Sequence, residues 1–195
     1  MGAGATFHFD FQSPYAYLAA ERVGELIPEA DWKPIAFPIL LARDGRLEER
    51  MRRDVAPVVA EVSSRAAERG LPPFTHPPTW PNGAWSLDPL RAAVFAGERG
   101  RMRELCLAAY RAMFVRGLAL NEPGNLRAVA GDAGLDPDEV DAAIGRQDVK
   151  DRLKQNTEEA IAAGVTGIPT VIVGGELFWG DDRLEDAAAV ARRPV

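Results

Sequence analysis

Phe7, Phe9 and Phe11 alternate with Thr6, His8 and Asp10. That period of two predicts a strand with one strongly apolar face. Ser13 and Pro14 follow as a helix cap and a first helical residue, since the fixed φ of proline suits the first turn and its missing N–H would have had no partner there. Leu18, Val23, Leu26 and Ile27 then recur at helical spacing up to Pro28, which predicts a helix over about 14–27. Trp32, Ile35 and Phe37 mark a short second strand over 31–37. Strand, helix and strand at this spacing make a βαβ unit with parallel strands and a right-handed crossover.

From Pro38 to about Gly164 no strand pattern appears and helical patterns follow one another. Leu47, Met51 and Val55 share one face, and Glu48 and Glu49 stand four residues before Arg52 and Arg53. This predicts a helix with a solvated charged side, kinked or interrupted at Pro57 and running on to about Arg69. The stretch from Gly70 to Trp85 holds five prolines and the tryptophans Trp80 and Trp85. A loop of that length is functional or disordered, and its tryptophans point to a pocket wall. Further helices are predicted over about 87–97, 101–116 and 148–163, with two shorter ones between them, the second opened by Asp136, Pro137 and Glu139. The chain closes with β structure: Thr170 to Val173, a Gly174-Gly175 turn, and Glu176 to Trp179 make a hairpin. A last helix is predicted over 181–191, with Asp182 and Glu185 at capping-box spacing.

The fold class is therefore α/β, a thioredoxin-like order of βαβ and then ββα with a large all-helical insertion. Residues 1–38 and 164–195 form the discontinuous thioredoxin-like domain, with the helix at about 148–163 placed to pack with it, and 39–147 form the inserted helical domain.

Composition narrows the function. A chain of 195 residues with 47% hydrophobic and 27% charged residues resembles ordinary soluble proteins. No window approaches the roughly 18 unbroken apolar residues of a membrane span, and no signal peptide is visible, so a cytoplasmic location is expected. The net charge of −6 and the interleaving of arginines with acids exclude a nucleic-acid partner. The single cysteine, Cys106, excludes an internal disulfide, and with two histidines there is no metal-site spacing. Cys106 falls on the apolar face of a helix with Leu105, Ala109 and Met113, the setting of an unreactive buried thiol. His8 and His76 each stand alone and read as structural.

The strand-to-helix join at Ser13 is the leading candidate active site. A hydroxyl at a helix N-terminus, where backbone N–H groups and the positive end of the dipole converge, favours an anion beside it. A Ser-Pro start also serves many helices as a cap with no chemistry attached. The second candidate is Ile168-Pro169, an X-Pro bond immediately before a strand. A cis bond there would expose the Ile168 backbone for strand-like pairing with an extended ligand.

Three motifs, Asp10-Phe11-Gln12-Ser13-Pro14-Tyr15-Ala16-Tyr17-Leu18-Ala19, Gly164-Val165-Thr166-Gly167-Ile168-Pro169-Thr170 and Phe178-Trp179-Gly180-Asp181-Asp182-Arg183-Leu184, resemble those of the 2-hydroxychromene-2-carboxylate isomerases. Their relatives are the kappa-class glutathione transferases and the DsbA-like disulfide oxidoreductases. The resemblance implies glutathione as cofactor or cosubstrate, Ser13 against its sulfur, Ile168 backbone binding its cysteinyl part, Pro169 as a cis-proline, and Asp181 and Asp182 at its γ-glutamyl end. Asp182 equally suits a helix cap. Tyr15, Trp80 and Trp85 are the candidate substrate-pocket residues. The asparagines that the family commonly places near substrate are missing: Leu40 to Arg46 contains none, and Trp85 stands where one precedes Ser86-Leu87. Ser13 and Ala16 occupy the two positions of a Cys-X-X-Cys pair, so dithiol exchange is excluded. The implied activity is isomerisation of an unsaturated or aromatic acid through reversible thiolate addition, with a glutathione transferase or a non-catalytic binding module as alternatives. The partner is a small molecule, and the resemblance implies a homodimer.

Overall fold

The computed structural model describes residues 4–83, 86–122 and 124–193. A four-stranded sheet carries the order β2-β1-β3-β4, from β1 (Thr6–Phe9), β2 (Asp31–Pro34), β3 (Thr170–Val173) and β4 (Glu176–Trp179). β1 and β2 are parallel, with Phe7 opposite Trp32, and β3 is antiparallel to both β1 and β4. The chain has the thioredoxin-like arrangement that the element order predicts, with α1 (Pro14–Leu26) crossing between the parallel strands.

Alternation along β1 divides the core. Phe7, Phe9 and Phe11 are fully buried on one face, packed edge-on against Trp32 and against Tyr110 of α6 (Met102–Phe114), with Phe11 and Tyr110 ring centres 5.1 Å apart. That cluster continues without a break into α5 (Leu87–Glu98), so the sheet and the helical insertion share apolar interior. On the other face Ile35, Leu40, Val165 and Ile168 pack with Ala160 of α9 (Gln147–Ala162). Asn156 and Thr157 of that helix bond the Pro34 carbonyl and the Ala36 amide. α7 (Asn125–Asp132) and α8 (Pro137–Gly145) complete the insertion, and the Asp136 carboxylate caps α8 at the Asp138 amide, 2.8 Å. No helix among the described residues is long and apolar enough to cross a membrane.

Four elements differ from the pattern reading. The second strand ends at Pro34, and Phe37 opens α2 (Phe37–Arg43). Pro38 suits that first turn, and the Phe37 amide finds an acceptor in the Asp10 carboxylate, 3.0 Å away across the sheet end. The helix expected to be kinked or interrupted at Pro57 is interrupted, but the break falls earlier: α3 (Leu47–Arg52) stops before Asp54, which turns back to accept from the Ala56 amide at 3.0 Å, and Pro57 sits in the first turn of α4 (Ala56–Glu68). Glu48 pairs with Arg52, but Glu49 faces a cleft. The described part of the loop after Gly70 packs inward, away from the cleft that Ser13 lines: Phe74 stacks on Phe114, the Thr75 amide bonds the Phe114 carbonyl at 2.9 Å, and Trp80 is buried. Finally, Asp181–Arg183 form a short 3-10 turn before α10 (Leu184–Ala191), and no capping box forms.

Candidate functional site

Asp10 follows the last residue of β1, and its carboxylate is wholly buried. Its Oδ1 accepts the Gln12 amide at 2.9 Å, its Oδ2 the Phe37 amide, and its backbone carbonyl the Ser13 amide and the Tyr110 hydroxyl, both at 3.1 Å. One residue thus ties the starts of α1 and α2 together. Burial pushes its carboxyl up to about 6, against the hydrogen bonds from Gln12, Ser86 and Phe37.

Ser13 caps α1, accepting the Ala16 amide at Oγ, 3.2 Å, and is only 6% exposed. Among the described residues its own hydroxyl proton has no acceptor. The first-turn donors are otherwise accounted for: Pro14 has no N–H, and the Tyr17 amide bonds the Ser13 carbonyl at 3.2 Å. The Tyr15 amide is left unpaired among the described residues beside the Ser13 hydroxyl.

These groups open on a cleft of about 250 Å3. α1 supplies Ser13, Pro14 and Tyr15, α2 supplies Phe37 and Leu41, and α3 and its flanks supply Arg46, Glu49, Arg50 and Arg53. Thr166, Gly167 and Ile168 come from the turn before β3, and Trp179 from the end of β4. The Ile168–Pro169 bond is cis. Neither the amide nor the carbonyl of Ile168 has a hydrogen-bond partner among the described residues. Trp179 is 62% exposed and lies against Gly167 so closely that a Cβ there would run into the indole. The Tyr15 phenol donates to Glu61 at 2.5 Å, and burial, then that carboxylate, push it up to about 12, so it stays protonated.

The residues singled out in the sequence separate here. Ser13, Tyr15 and Ile168 line one cleft, with Pro169 next in the chain. Trp80 does not: it is 5% exposed, packs on His76 and Phe114, and donates its indole N–H to the Gln12 carbonyl at 2.9 Å. Trp85 lies outside the described residues. Asp181 is 1% exposed, with Oδ1 2.6 Å from Arg65 and Oδ2 2.5 Å from Arg69, so its charge is already matched by two guanidiniums. Asp182 is exposed, its carboxylate folded over Gly180 at φ +115°, and it too lies off the cleft wall. The pattern reading missed Phe37, Arg50, Arg53 and Trp179. The signal for Trp179 was the alternation of β4, where Phe178 is buried while Leu177 and Trp179 face out.

Residues 6–190 match the family of DSBA-like thioredoxin domains. The chain belongs to that family. Within it, the chain is 28% identical over 187 residues to a 2-hydroxychromene-2-carboxylate isomerase of Sphingobium xenophagum, covering 92% of this chain and 93% of that one. It is 25% identical over 182 residues to the enzyme of the same name from Pseudomonas sp. strain C18, covering 91% and 85%. A solved 2-hydroxychromene-2-carboxylate isomerase superposes with a TM-score of 0.80 at 22% identity, covering 92% of this chain and 90% of that one, a likeness of fold. This family member has no second thiol to work with. Its only cysteine, Cys106, is buried in α6, where desolvation raises its pKa well above the ordinary thiol value.

Proposed function

We propose that the protein is a glutathione-dependent isomerase acting on an unsaturated or aromatic acid of the 2-hydroxychromene-2-carboxylate kind. The observation that carries this reading is the Ser13 hydroxyl, whose oxygen takes the Ala16 amide while its proton is uncommitted among the described residues, beside the unpaired Tyr15 amide in the cleft. The names of the relatives support the isomerase class.

The residues present fit a cysteinyl tripeptide. The unpaired amide and carbonyl of Ile168 can bond an extended peptide in strand fashion. The Ser13 hydroxyl and the Tyr15 amide are donors suited to an anionic sulfur, and the positive end of α1 favours the thiolate over the thiol. When bound, glutathione supplies a nucleophile that adds reversibly to an activated double bond and leaves again. The chain's own part is to hold that sulfur ionised and aimed, while Phe37 and Trp179 offer flat apolar surface to an unsaturated ring. The unpaired Ile168 edge also suits a binding module or a transferase, and turnover separates these readings.

Ser13→Ala, assayed with 2-hydroxychromene-2-carboxylate at saturating glutathione, is expected to turn over about 10² to 10⁴-fold more slowly than the unaltered chain. Equal rates would remove Ser13 from the chemistry. Glutathione binding with no isomerisation by the unaltered chain would favour the transferase or the binding module.

A further inference from the structure

The cleft contains a feature that sulfur binding does not use. Arg50 and Arg53, three residues apart at the end of α3, both line it, and neither is paired with a carboxylate among the described residues. Their neighbours are matched: Arg46 pairs with Asp44 at 2.6 Å and bonds the Thr166 carbonyl at 2.6 Å, and Arg52 pairs with Glu48. Arg50 is half-buried. Its charge is disfavoured first by that burial and next by Arg53 beside it. Glu49, the one carboxylate among the lining residues, forms no ion pair with either of them among the described residues, so the two like charges repel in the free protein and a bound anion relieves the repulsion.

Nor does packing explain why α3 is there. It has no buried residue, and it is held by the Arg46 bond and by Asn82, whose amide donates to the Met51 carbonyl at 3.0 Å. Guanidinium forks match carboxylate oxygens in pairs. The Trp179 indole meanwhile gives the same cleft a flat, exposed aromatic wall.

We infer that Arg50 and Arg53 form a carboxylate clamp that selects planar unsaturated acids in the cleft beside Ser13. This rests on the proposed function for the identity of the acid, while the clamp itself is a binding property. The carboxylate belongs either to the substrate or to glutathione, and the clamp is assigned to the substrate because the exposed Trp179 indole gives the same cleft a flat wall for an unsaturated ring, while the carboxylates of glutathione are the alternative that its own titration separates.

Calorimetric titration with trans-cinnamate, cinnamamide and glutathione tests the clamp without turnover. The double variant Arg50→Gln, Arg53→Gln alters two residues outside the core, and unchanged circular dichroism and melting temperature would verify its fold. It is expected to bind trans-cinnamate about tenfold to hundredfold more weakly than the unaltered chain, with glutathione affinity within twofold and cinnamamide equally weak on both proteins. Arg50→Lys, Arg53→Lys should recover part of the loss, because it keeps the charges but not the forks. Unchanged cinnamate affinity, or no cinnamate binding by the unaltered chain, would overturn the clamp. Equal loss for cinnamamide would reduce it to packing, and equal loss for glutathione would reassign it to the tripeptide. Failure to isomerise 2-hydroxychromene-2-carboxylate would count against the proposed function alone.

Discussion

The Trp80 indole donates its N–H to the Gln12 carbonyl at 2.9 Å, so a loop 68 residues further along pins the backbone just before Ser13. The ring is also the buried end of an aromatic run through Phe114 to Tyr17 and Tyr110. Trp80 therefore supports the site from behind. Trp80→Phe should cost about 1–3 kcal/mol in urea denaturation, from the orphaned carbonyl and the lost volume. A variant as stable as the unaltered chain would show that the loop does not brace α1.

Two buried titratable groups, His8 on β1 and Asp10 just past its end, oppose each other. Burial lowers His8 from 6.5 to about 4, and its Nδ1 has no partner. The folded state therefore binds fewer protons at His8 than the unfolded chain between about pH 4 and 6.5, and His8 makes stability rise with pH there. Asp10 is raised from 3.8 to about 6, so the folded state binds more protons and stability falls as pH rises from about 4 to 6. Each effect amounts to about 3 kcal/mol, and in the unaltered chain they largely cancel. Asp10→Asn should unmask a stability that climbs from pH 4 to 6.5, on top of a constant loss where the new amide faces an N–H. His8→Gln should unmask the opposite slope. Parallel pH profiles for the three proteins, measured by denaturant unfolding, would refute this.

Asp181 is gripped by Arg65 and Arg69. Asp181→Ala leaves two partly buried guanidiniums facing each other and should cost about 2–4 kcal/mol, read as a lowered melting temperature. Because the carboxylate lies off the cleft wall, glutathione affinity measured well below that temperature should change by less than threefold. A loss of tenfold or more would return Asp181 to the ligand.

Replacing the hydroxyl tests the α1 terminus directly. The thiol of Ser13→Cys should titrate below the ordinary value of about 8.5, followed by thiolate absorbance. With Ala16 in the resolving position, attack on oxidised glutathione should release one glutathione and leave a mixed disulfide that persists, visible by mass spectrometry. A thiol at or above 8.5 would mean that the helix terminus does not act on this position.

The sequence by itself determined what local periodicity and steric preference control. The alternating phenylalanines of β1 imply a strand with one buried face, Ser13-Pro14 implies a capped helix start, the Gly174-Gly175 turn implies the hairpin, and the order of elements implies the thioredoxin arrangement, because each depends on residues within a few positions of one another. Motifs at both ends of the chain likewise made Ser13 and Ile168 legible as one site, and both line the same cleft. Tertiary structure alone decided the groups whose meaning depends on distant partners. Asp181 reads as a ligand from its motif, and only the fold pairs its carboxylate with Arg65 of α4 and Arg69 just past its end; Trp80 reads as a pocket wall, and only the fold gives its N–H to Gln12. Phe37 opens a helix because Asp10, 27 residues earlier, accepts its amide. Arg50 and Arg53 read as a solvated charge run because helical spacing does not show which side of α3 lies against the cleft. An exposed amphipathic pattern is compatible with any neighbour, and only the docked helix selects one.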